Sequence, residues 1–236
     1  MSQVQNQPTL VEQVVNAIVS EIVDGELPAN ARLIQDELAR AYGVSRQPVQ
    51  QALLLLRERG MVREAPGRGL IVSPLDVDFV RNLYEVRAML DGLAARLAAE
   101  HGSERAKDEG QIYLDAGRAA VESGSLNEQI EADMRFHGFI NELSANPLIG
   151  ETTAPHWAYL RRVMGEVLRD DAQMPQIILG EHVAILDAIV AGKAVEAETL
   201  SRDHIARAAK IFVQRLEVQK AASEEEMRQR PTRRIR

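Results

Sequence analysis

The chain has 236 residues, 45% of them apolar but only 4% aromatic, and a formal net charge of -7. That is enough apolar material for one large or two modest cores, and the abundance of Ala, Leu, Val, Glu and Arg favours helix and excludes an all-β fold. There is no cysteine, which excludes disulfides and thiolate metal sites. No apolar run approaches the roughly 20 residues that span a bilayer, and MSQVQNQPTL has no basic stretch leading into an apolar one. The expectation is a cytoplasmic protein with no membrane partner. The acidity is local: residues 75–223 carry 16 basic and 24 acidic side chains, whereas 46–70 carry 5 Arg and 2 Glu. Such asymmetry allows a nucleic-acid contact on an acidic protein.

In chain order, TLVE at Thr9–Glu12 is a capping box, and Leu10, Val14, Ala17, Ile18 and Ile22 recur at helical spacing up to Asp24. A second helix, about 35–42, turns Leu38 and Ala39 inward and ends at Gly43. Ser45 then caps a third helix running to Arg59, with Pro48 tolerated in its first turn. The short runs MVREA and LIVS, joined by PGRG, read as a hairpin. From Leu75 the period stays helical, predicting six helices at about 76–101, 103–123, 126–143, 147–170, 175–191 and 194–223. Ser125 with Glu128 forms a further capping box, and Asn146 before Pro147 suits an N-cap. The tail SEEEMRQRPTRRIR has the composition of a disordered basic segment that could add phosphate contacts. The fold class is therefore mainly α: a domain of three helices and a hairpin at 1–74, a six-helix bundle at 75–223, and a tail at 224–236.

On the third helix Val49, Ala52, Leu53 and Leu56 follow the i, i+3, i+4, i+7 rule and face the core. Arg46, Gln47, Gln50 and Gln51 are left outward, with no acid before Glu58. Arginine reads guanine and glutamine reads adenine in the major groove, and either can hold phosphate. Any surface helix is polar outside; it is the order of three helices, Ser45 at the start of the third, and a hairpin with Arg68 at its tip that points to a winged helix-turn-helix on double-stranded DNA.

The stretch LIQDELARAYGVSRQPVQQALLLLRERGMVREAPGRGLIV, Leu33–Val72, resembles the DNA-binding domain of GntR-type bacterial transcription regulators. The helical remainder resembles the FCD effector-binding domain of their FadR-like subfamily, and a count of six helices suggests the VanR-type branch, which often senses organic or aromatic acids. The resemblance implies a homodimer on an operator of two half-sites, released by a small organic-acid effector. Arg46 matches the family's recognition helix. Gln50 and Gln51 stand where the family carries arginine and glutamate, which puts its common operator sequence in doubt.

In the helical part, Asp133 and His137 lie one turn apart on one helix, and His182 and His204 lie on two others, each beside apolar neighbours. A single such histidine is most simply a hydrogen-bonded core residue. Three with one carboxylate can make a divalent-metal site with open positions. The FCD resemblance implies that site, since metal-binding members show Asp, then His four later, then two further His; His101 and His156 match nothing in it. Zinc is the leading candidate, with nickel, manganese or iron as alternatives. Two free positions on an octahedral ion would suit a chelating carboxylate or hydroxycarboxylate.

Arg87 shares a face with Leu83, Leu90 and Ala94, where burial requires an anion. Glu85 and Asp91 are poorly spaced for a surface pair with it, and the resemblance implies that Arg87 holds the effector's carboxylate. Asn146 is a second pocket candidate beside its capping role, and Arg161 and Arg162 read as solvated helix charges. The leading function is a repressor controlled by a carboxylate at a metal. The rivals are a metalloenzyme with an accessory DNA-binding domain using Glu131 or Glu181 as its acid, a regulator sensing the metal itself, and a bundle serving only dimerisation.

Overall fold

The structure is a computed structural model that describes residues 8–67, 69–169 and 173–229. The N-terminal part is built from α1 (Leu10–Asp24), β1 (Arg32–Leu33), α2 (Gln35–Ala41), α3 (Arg46–Glu58), β2 (Val62–Glu64) and β3 (Leu70–Val72). Thr9 and Glu12 close the expected capping box at the start of α1. Gly43, at φ 65°, makes the turn into α3, a left-handed conformation that costs glycine little. Val49, Ala52, Leu53 and Leu56 are essentially inaccessible and pack with Val14, Ile18 and Ile22 of α1. Ser45 takes the N-cap position of α3 in extended backbone, but its hydroxyl makes no capping bond.

The hairpin β2–β3 is joined by β1, which pairs antiparallel with β3 through Arg32↔Ile71 and Leu33↔Leu70 and makes a three-stranded sheet of order β1-β3-β2. Two residues are too short a run to show a strand period, so β1 leaves no sequence signal. The hairpin tip Arg68 lies outside the described residues.

The C-terminal part contains α4 (Val77–His101), α5 (Ser103–Ser123), α6 (Leu126–Leu143), α7 (Pro147–Thr153), α8 (Trp157–Leu168), α9 (Met174–Val190) and α10 (Ala194–Gln229). The helix expected over 147–170 is thus two, α7 and α8, joined by a 3-10 turn at Ala154–His156. Pro155 has no N–H to continue the ladder, and its ring crowds the preceding turn. With seven helical segments described, a six-helix count no longer supports the VanR-type branch. At the other end α10 runs six residues past the expected boundary at 223, so 224–229 is helical; the rest of the tail, 230–236, lies outside the described residues.

The two parts meet on α8. Arg162 donates to the Ser73 carbonyl at the end of β3, Arg169 donates to Val23 O in the last turn of α1 at 2.7 Å, and Tyr159 accepts from the Asp76 N–H at 3.2 Å. Gly165 lies so close to α1 that a Cβ there would meet the Val23 carbonyl at 3.0 Å. Arg162 is therefore not the solvated charge expected: it is 4% exposed, its charge satisfied in part by backbone of the N-terminal part.

Candidate metal centre and DNA-reading face

Helices α6, α9 and α10 bring Asp133, His137, His182 and His204 together in the interior of the bundle. All four are buried, and one ligand atom from each lies within 4.8 Å of the others. Their helices supply the geometry: Asp133 and His137 are stacked by the i, i+4 spacing of α6, and His182 is fixed by its ring stacking on Phe136 at 4.0 Å. His182 Nε2 is 3.4 Å and His137 Nε2 3.8 Å from Asp133 Oδ1, and neither nitrogen has a hydrogen-bond partner. Opposed donors about 2.1 Å from a common ion would lie about 4.2 Å apart, so a small closure puts all four around one divalent cation.

The outer nitrogens are engaged elsewhere. His204 Nδ1 meets Glu181 Oε2 at 2.6 Å, and Glu181 also takes Arg207; His137 Nδ1 meets Asp91 Oδ2 at 3.3 Å. A carboxylate on the far nitrogen fixes ring orientation and tautomer and raises the donor strength of the inner one. Burial holds all three imidazoles below their usual range, His182 most deeply and His204 to about 4, so each offers a neutral ring. Unpartnered inner nitrogens, neutral rings and carboxylate-tethered outer nitrogens fit a metal. Zinc, nickel, manganese and iron(II) all accept such nitrogen and oxygen donors.

Arg87 belongs to this interior, on terms the spacing did not suggest. It pairs with Asp91 one turn on at 3.2 Å, both side chains about 5% exposed. Four-residue spacing is good for a pair within a helix, and the buried face makes Asp91 its partner. Burial opposes ionisation of Asp91, but Arg87 and His137 beside it hold the carboxyl below its ordinary value. Arg87 Nη2 and the hydroxyl of buried Tyr84 make no hydrogen bond of good geometry, although the guanidinium lies beside that hydroxyl and acts on it. Asp91 and Glu181 are thus the functional side chains the sequence reading missed or misassigned; their position on the same helices as Arg87 and His182 was the available signal. Glu131 pairs with Arg135 on the surface at 3.1 Å.

Asn146 accepts from the Leu148 N–H as the N-cap of α7. On α3, Ser45, Arg46, Gln47, Gln50 and Gln51 are exposed together, while Arg46 is held by Asp36 of α2.

The chain matches the model of bacterial regulatory proteins of the gntR family over residues 10–72 and that of the FCD domain over 82–207. The HTH-type transcriptional repressor RspR of Escherichia coli K12 is 28% identical over 187 residues, covering 78% of this chain and 82% of the relative. An uncharacterised HTH-type transcriptional regulator of Streptomyces ambofaciens is 30% identical over 186 residues, 76% of this chain and 75% of its own. Among solved structures, E. coli McbR/YncC superposes with a TM-score of 0.75 at 22% identity, over 89% of this chain and 99% of that one. A GntR-type regulator from Rhodococcus sp. RHA1 gives 0.72 at 23% identity, over 86% and 97%. These relatives are transcription regulators, not enzymes. No helix among the described residues is long and apolar enough to cross a membrane. With an N-terminal part of three helices and a hairpin joined to a helical bundle, the chain belongs to the GntR family of transcriptional regulators, and its C-terminal part is an FCD domain.

Proposed function

We propose that this regulator is a homodimeric repressor of the cytoplasm that reads an operator of two half-sites. Residues 1–74 would form its DNA-binding domain and 75–223 its effector and dimer domain. A small carboxylate at a divalent metal, zinc foremost, would modulate its operator binding. The observation that carries the reading is the pair of buried, unpartnered Nε2 atoms of His137 and His182 facing Asp133. Asp133, His137, His182 and His204 would hold the ion, which when bound supplies a Lewis-acidic seat with positions open to a carboxylate. Arg87 Nη2 would contribute a charge-assisted hydrogen bond to the same anion.

On the DNA side, Arg46, Gln47, Gln50 and Gln51 would enter the major groove, Ser45 would hold phosphate, and Arg68 would reach backbone or minor groove from the wing. Engaging DNA with Arg46 requires releasing Asp36, an exposed pair that costs little to break. The repressor assignment draws on the E. coli relative named as one. Helix α8 offers the route from sensor to reading head, because it touches the surroundings of Asp133 on one face and α1 and the end of β3 on the adjoining face.

The test is thermal unfolding and operator binding of the full chain, as purified and after chelation, with a panel of carboxylates. Midpoint shifts that vanish on chelation and return with zinc, accompanied by operator release, are the expected result. Shifts indifferent to chelation would sink the metal-bridged mechanism, and release by zinc alone would make the metal the signal.

A further inference from the structure

Beside the cluster, Asp133 and His182, adjacent at 3.4 Å, help to line a slot between α5, α6, α8 and α9. Its walls are Met164 and Leu168 of α8, Pro175, Ile178 and Leu179 of α9, and Val121 of α5. The other polar side chains among its described lining are Gln129, whose amide donates to Ala120 O, and Tyr113, whose ring lies flat on Phe139 at 4.2 Å. Gly117 contributes no side chain to the slot; a Cβ there would already touch Leu179 at 3.0 Å. The titratable lining groups are thus one adjacent pair, and the remaining walls offer almost no partner for a second carboxylate or a hydroxyl.

A polar group driven into such walls loses its water without replacement, at a cost of at least about 1–3 kcal/mol, whereas an apolar group gains about 25 cal/mol per Å² buried. The slot as it stands is about 30 Å³, one water's share. An occupant must therefore displace wall side chains, and among them Met164 has the most rotamer freedom to yield, with Leu168 beside it on the same helix. Both sit on α8, the helix whose adjoining face grips Val23 and Ser73.

We infer that the effector is a monocarboxylic acid with an apolar aromatic or aliphatic body, its carboxylate at the Asp133–His182 pair and its body between α8 and α9. This rests on the metal-centred reading above and narrows it: polar di- and hydroxycarboxylates are the disfavoured class.

The experiment is calorimetric titration of the zinc-loaded full chain with benzoate, hexanoate and malate, repeated on Ile178→Asn and Gly117→Val, with zinc content measured for every sample. At least one of benzoate and hexanoate should bind tenfold or more tighter than malate. Each variant should weaken that acid about tenfold while keeping one zinc per chain, which separates a filled or polar slot from a misfolded domain. Malate binding as well as or better than both apolar acids, in wild type and variants alike, would overturn the inference and leave the metal-centred reading standing. No binding of any acid by zinc-loaded wild type would overturn the reading and the inference with it.

Discussion

On α3 the side chains assigned to DNA stand in solvent, with Gln47, Gln50 and Gln51 all exposed, whereas Asp133, His137, His182 and His204 are each less than a tenth exposed. The difference concerns what holds a functional group in place. A groove-reading side chain is held by the phase of its helix, because Val49, Leu53 and Leu56 fix the buried face and leave the rest outward. A side chain of the buried Asp–His cluster is held by its neighbours: Phe136 against His182, Glu181 against His204, Asp91 against His137. Substitutions should therefore separate stability from function at the surface and couple them in the interior.

The largest effect should come from Asp91→Ala, which strands Arg87 as a buried charge and removes the partner of His137. Urea unfolding should show a loss of about 3–5 kcal/mol, and a loss under 1 kcal/mol would mean that the pair is solvated and the contrast with α3 overdrawn. Acid should come next. In chelated protein the imidazoles are held neutral while folded but protonate near pH 6.5 when unfolded, so below 6.5 the unfolded chain binds more protons and stability falls. With His204 at about 4 in the folded state, that residue alone accounts for about 2 kcal/mol between pH 6.5 and 5. Stability flat across that window in the chelated protein would contradict buried neutral rings.

At the surface, Gln50→Ala or Gln51→Ala should cost about 1–3 kcal/mol in operator binding if either makes a bidentate base contact, with the unfolding midpoint unchanged. Competition against mutated operators checks which base pair is read, and unaltered affinity in both variants would move specificity elsewhere on the reading head. Smallest is Tyr84→Phe. Its hydroxyl lies beside Arg87 without a hydrogen bond of good geometry, so removal should leave metal-free stability within about 0.5 kcal/mol or raise it slightly; a clear loss would show that the hydroxyl is bonded to the guanidinium.

Much of this was legible in the sequence because periodicity and caps are local. The capping box at Thr9, the buried phase of α3, and the pairing of Asp133 with His137 each rest on spacings of three or four residues, whereas His182 and His204 joined the candidate site through the FCD resemblance. What escaped it was non-local or short. Strand β1 exists through pairing with β3 across nearly forty residues of chain. The break before α8 hinges on Pro155, whose effect on a helix depends on whether tertiary contacts tolerate a 3-10 turn. Glu181 was weighed only as a catalytic acid, since nothing in the spacing tells that α10 brings His204 to it. Arg87 was denied Asp91 as a partner because a surface pair was imagined where burial makes the two mutually necessary.

Gly165 has a consequence for inheritance as much as for mechanics. With no side chain it lets α8 rest on the carbonyl of Val23, so the spacing of the N-terminal part and the helical bundle is set at one position by the lack of a methyl group. A single-codon change to alanine would wedge that joint permanently while leaving the buried Asp–His cluster and the exposed glutamines of α3 intact. In a screen for variants that no longer regulate, such an allele should surface far from either cluster.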